Sequence, residues 1–168
     1  GLFYFGVAYC ILYVSSYFLT DFAHPYKEYE QEYREQTAAI NEYMATVTQP
    51  TIETAVFSED NVEAGKAVFE TNCVSCHGEG GKGGIGPNLT DNFWINQPEK
   101  TLFKNVFYMV ENGSPNNPTM QAWGKNGVVN GFEMQAVAAY VYHINQEQAP
   151  ITEAQGGAAP QGEEAHWE

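Results

Sequence analysis

Cys73-Val74-Ser75-Cys76-His77 is the stretch of this 168-residue chain that decides its fold. Two thiols separated by two residues, with a histidine directly after the second, have the spacing for covalent haem attachment. Each sulfur adds across a vinyl group, and the imidazole falls under the iron as an axial ligand. One helical turn brings the two thiols to the distance between the vinyl groups. A zinc site would need two more ligands at matching spacing, and the third cysteine, Cys10, stands in an apolar run far upstream. A thioredoxin-like pair asks for a βαβ pattern that is lacking here, and His77 has no part in it. The motif therefore implies one covalent c-type haem, with His77 as a metal ligand.

The second axial position separates electron transfer from ligand chemistry. Met120 is the candidate, because Asn116-Asn117-Pro118-Thr119-Met120-Gln121-Ala122-Trp123-Gly124 is punctuated by Pro and Gly and is free to lay a thioether across the distal face. Met109 falls among apolar positions 102, 103, 106, 107 and 110, a helical period in which it reads as core filler. Met134 belongs to a later helix and Met44 precedes the haem region. His143 is the competitor through bis-histidine ligation, although Tyr140, Val141 and Ile144 around it read as packing residues. The run Gly78-Glu79-Gly80-Gly81-Lys82-Gly83-Gly84-Ile85-Gly86 lacks the phosphate-loop spacing and a preceding strand. It reads as a flexible loop covering the haem, where backbone must come close. Trp94 and Trp123 carry indole N–H groups that suit haem propionates, and both equally suit an aromatic wall.

With the haem placed, the residues from Ser58 to Gln148 resemble a class I cytochrome c. Gly65, Phe69, Cys73, Cys76 and His77 match the family's opening helix, and Tyr140 matches the aromatic of its closing helix. Pro87 matches the family proline, whose carbonyl the resemblance implies as acceptor for the proximal histidine Nδ1. Pro87-Asn88-Leu89-Thr90-Asp91 with Trp94, and Met120-Gln121-Ala122-Trp123, are most similar to the c subunit of the C-family (cbb-type) haem-copper oxidases. Gln121 stands where that family usually has proline, and the family commonly has two haem domains where this chain has one. The resemblance implies Cys73, Cys76, His77, Pro87, Asn88, Trp94, Met120 and Trp123 as haem-binding residues, with His77 and Met120 on the iron.

Upstream, Leu2 to Leu19 runs eighteen residues without a charge, about 27 Å as a helix and close to the thickness of a bilayer's hydrocarbon core. The pattern predicts a transmembrane helix over residues 1–20. The run lacks an A-x-A-like cleavage site, and Tyr9 is too bulky for Cys10 to be a lipoprotein cysteine. The chain opens on Gly1 rather than Met, which predicts a start further upstream. Tyr9, Tyr13 and Tyr17 recur every fourth residue, a stripe of phenols that in hydrocarbon wants hydrogen-bond partners on other helices. Tyr26, Tyr29, Tyr33, Ile40, Tyr43 and Val47 then mark an a/d-like seam, interrupted at Gln36, on a polar and acidic helix. That seam is either solvated or laid on a partner subunit. Gln49 to Phe57 reads as an extended linker.

The net charge of −14 is spread along the chain: seven acids and two bases over 21–57, ten and five over 58–148, and four acids in the tail from Ala149. This balance excludes nucleic acid as a partner and permits docking of a basic redox protein. Residues 149–168 have a solvating composition with no core of their own, which predicts that ordering them takes a partner. The sequence thus predicts an all-α chain: a transmembrane helix (1–20), an amphipathic helix and linker (21–57), a class I cytochrome c domain (58–148) and an acidic tail (149–168). The resemblance implies a single-pass protein of the bacterial inner membrane with a periplasmic haem domain, passing electrons into a cbb-type oxidase. It leaves open a subunit of a quinol-oxidising complex or photosynthetic reaction centre. A haem-based sensor with an open distal site is the reading from another class.

Overall fold

The computed structural model describes residues 1–19 and 25–168, with side chains at 17–27 outside the description. It divides into two compact units, Gly1–Thr48 and Gln49–Glu168.

The first unit holds α1 (Leu2–Leu19) and α2 (Pro25–Thr46). On α1, Tyr9 and Tyr13 stack with ring centroids 6.1 Å apart. Tyr17 and Tyr26 lie outside the described side chains. Among the described residues no helix is long and apolar enough to cross a membrane. The side chains described on α1 cover residues 2–16, which rise about 22 Å against a hydrocarbon core of ~30 Å. On α2 the seam residues Tyr29, Tyr33, Ile40 and Tyr43 are exposed. Its polar face is tied by pairs one turn apart, Gln31 to Glu35, Gln36 to Glu32 and Arg34 to Glu30.

The second unit is built on the crossing of α3 (Asp60–Asn72) and α6 (Gly131–Tyr142). Gly65 is buried at that crossing, and a Cβ there would sit 1.9 Å from the Ala136 carbonyl oxygen. Only a residue without a side chain lets the two backbones meet this closely. One turn further along α3, Phe69 packs on Tyr140 with ring centroids at 5.2 Å. A capping box starts α6: the Asn130 side chain accepts from the Phe132 and Glu133 N–H groups, and the Asn130 N–H donates to Glu133. Between these helices come α4 (Val74–His77), a 3₁₀ turn (Glu79–Gly81), β1 (Phe93–Trp94) and α5 (Leu102–Asn112), which Thr101 caps. A π-turn (His143–Glu147) and a 3₁₀ turn (Glu153–Gln155) lead to β2 (Glu163–Glu164), antiparallel to β1. The core gathers Phe69, Leu102, Phe103, Val106, Phe107, Val137 and Tyr140.

Three expectations change here. Residues 49–57 are not an extended linker but part of the haem-side unit. Ala55 is buried, Phe57 packs on Tyr142 and Phe103, and Gln49 accepts from the Gly131 N–H. Two aromatic or aliphatic side chains within nine residues supply enough apolar surface to hold the segment down. The tail needs no partner to order it, because it packs on its own chain. Ala165 is buried and Trp167 meets Trp94 edge to face at 5.5 Å. The short β1–β2 pair also qualifies the all-α expectation, and two residues of pairing leave no alternation to read.

Candidate functional site

Cys73 ends α3, and His77 closes α4 one turn later, its N–H bonded to the Cys73 carbonyl at 2.9 Å. The turn puts Cys73, Cys76 and His77 on the wall of one open cleft. Burial, reinforced by Cys76, pushes the Cys73 thiol up to about 11 and so keeps it protonated. The glycine loop that follows is closely bonded: the Gly83 N–H donates to the His77 carbonyl at 2.7 Å and the Gly86 N–H to the Cys76 carbonyl at 2.8 Å. It is thus a tied loop, where the sequence predicts a flexible one. Gly86 lies against the imidazole, where a Cβ would come within 2.9 Å of His77 Cε1.

The next residue fixes the ring. His77 Nδ1 lies 3.1 Å from the Pro87 carbonyl oxygen. A carbonyl only accepts, so the proton resides on Nδ1 and the Nε2 lone pair is left for a metal. Burial lowers the His77 pKa, partly countered by that bond, and favours the neutral imidazole a metal needs.

Across the cleft, Met120 is placed by the loop that follows α5. Its carbonyl accepts from the Ser114 N–H at 2.9 Å, and its N–H donates to Asn117. Asn96 braces the loop by bonding Ser114 and Asn116 at 3.2 and 2.8 Å. Trp123, Trp94 and Asn88 complete the wall, so all eight predicted residues line one cleft. Met109 also lines it, although its periodicity predicts core filler. His143 does not line it and is held instead by Glu147 and Gln148. Among the described residues no cluster of three or more His, Cys, Asp or Glu could hold a metal.

Two polar atoms beside the cleft are buried without a partner among the described residues: Trp94 Nε1 and Asp91 Oδ2. Sequence reasoning missed the residues that hold this wall from behind. Thr90 and Asn145 are buried, and Asn145 Nδ2 donates to the Leu89 and Asp91 carbonyls at 2.8 and 2.7 Å. An asparagine in the turn just after an apolar closing helix is the signal that could have pointed to this role.

A helix that ends at the first of the paired cysteines, a second helix crossing it at a glycine, and a histidine steered by a proline carbonyl together describe a c-type cytochrome domain. Residues 60–141 match the model of the family described as Cytochrome C oxidase, cbb3-type, subunit III. The chain is 31% identical over 120 residues to the Cbb3-type cytochrome c oxidase subunit CcoP of Cereibacter sphaeroides, covering 64% of this chain and 41% of that protein. It is 40% identical over 89 residues to the subunit FixP of a Bradyrhizobium species, covering 48% and 29%. It is 24% identical over 142 residues to the CcoP subunit of Azospirillum brasilense, covering 78% and 48%. The chain thus spans less than half the length of these relatives. Among solved structures it is similar to cytochrome cL of Methylophaga aminisulfidivorans, at 22% identity and a TM-score of 0.44, over 63% of this chain and 70% of that one.

Proposed function

We propose that the chain is an electron-transfer subunit of a cbb3-type cytochrome c oxidase, holding one haem c through Cys73 and Cys76, with His77 and Met120 as axial ligands. The observation that carries this reading is the imidazole of His77. Its Nδ1 is committed to Pro87 and its ring lines a cleft shared with both thiols and a thioether. The donor set fits haem c: two thiols one turn apart, a neutral imidazole with Nε2 free, and a methionine sulfur on the facing loop. The orphaned Trp94 N–H fits as well, since a propionate carboxylate would supply the acceptor it lacks.

When bound, the haem supplies one-electron exchange between ferric and ferrous iron. The chain's residues do the rest. Pro87 holds the imidazole plane and tautomer, which sets the basicity of Nε2. The thioether of Met120, a soft and weak donor, favours the ferrous state relative to a second imidazole. Phe69, Val106, Val110, Val137 and Val141 form the apolar wall that excludes water, and so limit solvent reorganisation as charge changes.

The membrane assignment belongs to the same proposal. The run from Leu2 to Leu19 would be a single span with the haem unit on the periplasmic side, and its partners would be other oxidase subunits, with a soluble protein as donor. The uncharged composition of α1 supports this. The test is spectroscopic. The purified chain should retain haem after denaturation, and its oxidised form should show the far-red charge-transfer band of methionine ligation. Met120→Ala should abolish that band, and an unchanged spectrum would remove Met120 from the iron. A high-spin spectrum in the parent protein that shifts with carbon monoxide would favour the sensor reading instead.

A further inference from the structure

The tail from Ala149 onward lies on a single stretch of the haem unit. The Ile151 N–H donates to Thr90 Oγ1 at 2.8 Å, and Asn88 Nδ2 donates to the Ile151 carbonyl at 2.9 Å. Asn88 Oδ1 in turn accepts from the Thr90 N–H and hydroxyl at 2.9 and 2.7 Å. Asn88 and Thr90 are 4% and 2% exposed, so the tail completes a buried polar network by supplying an acceptor for Asn88 Nδ2 and a donor to Thr90 Oγ1. Further on, the Ala158 N–H donates to the Lys82 carbonyl at 2.7 Å and the Ala165 N–H to the Asn92 carbonyl at 2.8 Å. Glu163 and Glu164 pair with Trp94 and Phe93, and the Glu168 N–H reaches the Lys100 carbonyl at 3.1 Å. At Gly162 the two backbones approach so closely that a Cβ would lie 2.3 Å from the Trp94 carbonyl carbon.

Every one of these attachments falls between Lys82 and Lys100. That span contains Pro87, Asn88, Leu89, Phe93, Trp94 and Ile95, all on the wall of the cleft. Its only regular structure is the two-residue strand β1. On one side Asn145 grips it through the Leu89 and Asp91 carbonyls, and the tail grips it on the other. Trp167 closes the outer edge of Trp94.

We propose that residues 149–168 are a positioning strap for the haem wall, with Trp167 as its clasp. The strap holds the Pro87 carbonyl against His77 and keeps water from Trp94. This inference rests on the haem reading above. Loosening the wall admits water, which stabilises the more highly charged ferric state and lowers the potential.

The test compares three haem-loaded proteins: the full chain, a chain ending at Gln148, and the variant W167A. Amide hydrogen exchange at Gly86 and Leu89 is expected to accelerate at least tenfold in the shortened chain and severalfold in W167A. The ferrous–ferric equilibrium is expected to move about tenfold toward ferric in the shortened chain, a 59 mV fall for one electron, and about threefold in W167A. Unchanged exchange at both amides, or an unchanged potential in W167A, overturns the strap. Should the shortened chain fail to fold, W167A decides by itself, because it keeps the backbone attachments. A full chain without covalent haem sinks the electron-transfer reading instead, and the two failures are therefore distinct.

Discussion

Replacing Gly65 with alanine sets two effects of opposite sign against each other. Intrinsic helix preference favours alanine over glycine by about 1 kcal/mol in a helix interior. The crossing of α3 and α6 opposes it. The added Cβ would sit 1.9 Å from the Ala136 carbonyl oxygen and 2.9 Å from Tyr140 Cβ. Ordinary contact begins near 3.4 Å, so the helices must part locally by about 1.5 Å, and a gap beyond ~1 Å already forfeits half or more of each dispersion contact. Overpacking of this kind costs about 1–3 kcal/mol. The upper end applies, because a backbone carbonyl cannot rotate away as a side chain can. The net expectation is a loss of about 2 kcal/mol, which for a unit of this size lowers Tm by roughly 6–12 °C. Thermal unfolding of the haem-loaded chain, followed by circular dichroism and by Soret absorbance, measures it. Ala67→Gly, on the exposed face of the same helix, should cost about 1 kcal/mol and isolates the propensity effect. If G65A raises Tm, propensity has won and the close-approach argument is refuted.

Asn130→Ala removes both bonds that the Asn130 side chain accepts at the start of α6 and should lower stability by about 1 kcal/mol, read as a lower urea midpoint at an unchanged m-value. Asp91 tests pH dependence. Burial raises its pKa, against the lowering effect of the Phe93 N–H, and leaves Oδ2 without a partner. The native state therefore holds this proton more tightly than the unfolded chain, so the contribution is fully present below the ordinary carboxylate pKa of 3.8. It is lost as pH rises through the higher native value. Asp91→Asn should flatten this part of the stability profile when unfolding is followed from pH 3 to pH 7; an identical profile would show that Asp91 does not titrate as argued.

What could be read from the sequence was what is local or carried by a short motif. Cys73, Cys76 and His77 lie within one turn, so spacing alone brings them together. Met120 was legible from the Pro- and Gly-punctuated stretch around it and Pro87 from resemblance, and the structure brings both to the same cleft. Met109 shows where periodicity stops: a helical period says that a face is covered without saying whether by core or by cofactor. The tail was illegible because its composition is solvating and its attachments run mainly through backbone groups. A backbone N–H donating to a carbonyl some seventy residues away leaves no mark on residue choice. Trp167 was the one signal, a large aromatic in a polar stretch. Residues 49–57 hid in the same way, since Ala55 and Phe57 are too few to form a pattern.

The crossing of α3 and α6 also governs the order in which this unit can assemble. About 60 residues separate the two helices, and nearly every cleft residue lies on the chain between them. Closing a loop of that length costs roughly 4 kcal/mol of chain entropy beyond a constant. That cost falls due before Gly65 and Phe69 gain contact with Ala136 and Tyr140. Regular structure within the loop is sparse, and the principal helix-to-helix contact joins segments distant in sequence, so folding without the cofactor should be slow. A group joined to Cys73 and Cys76 while the chain is open, and then bound by residues near its far end, would shorten the effective loop. Such a group would act as a folding nucleus in addition to its proposed redox role.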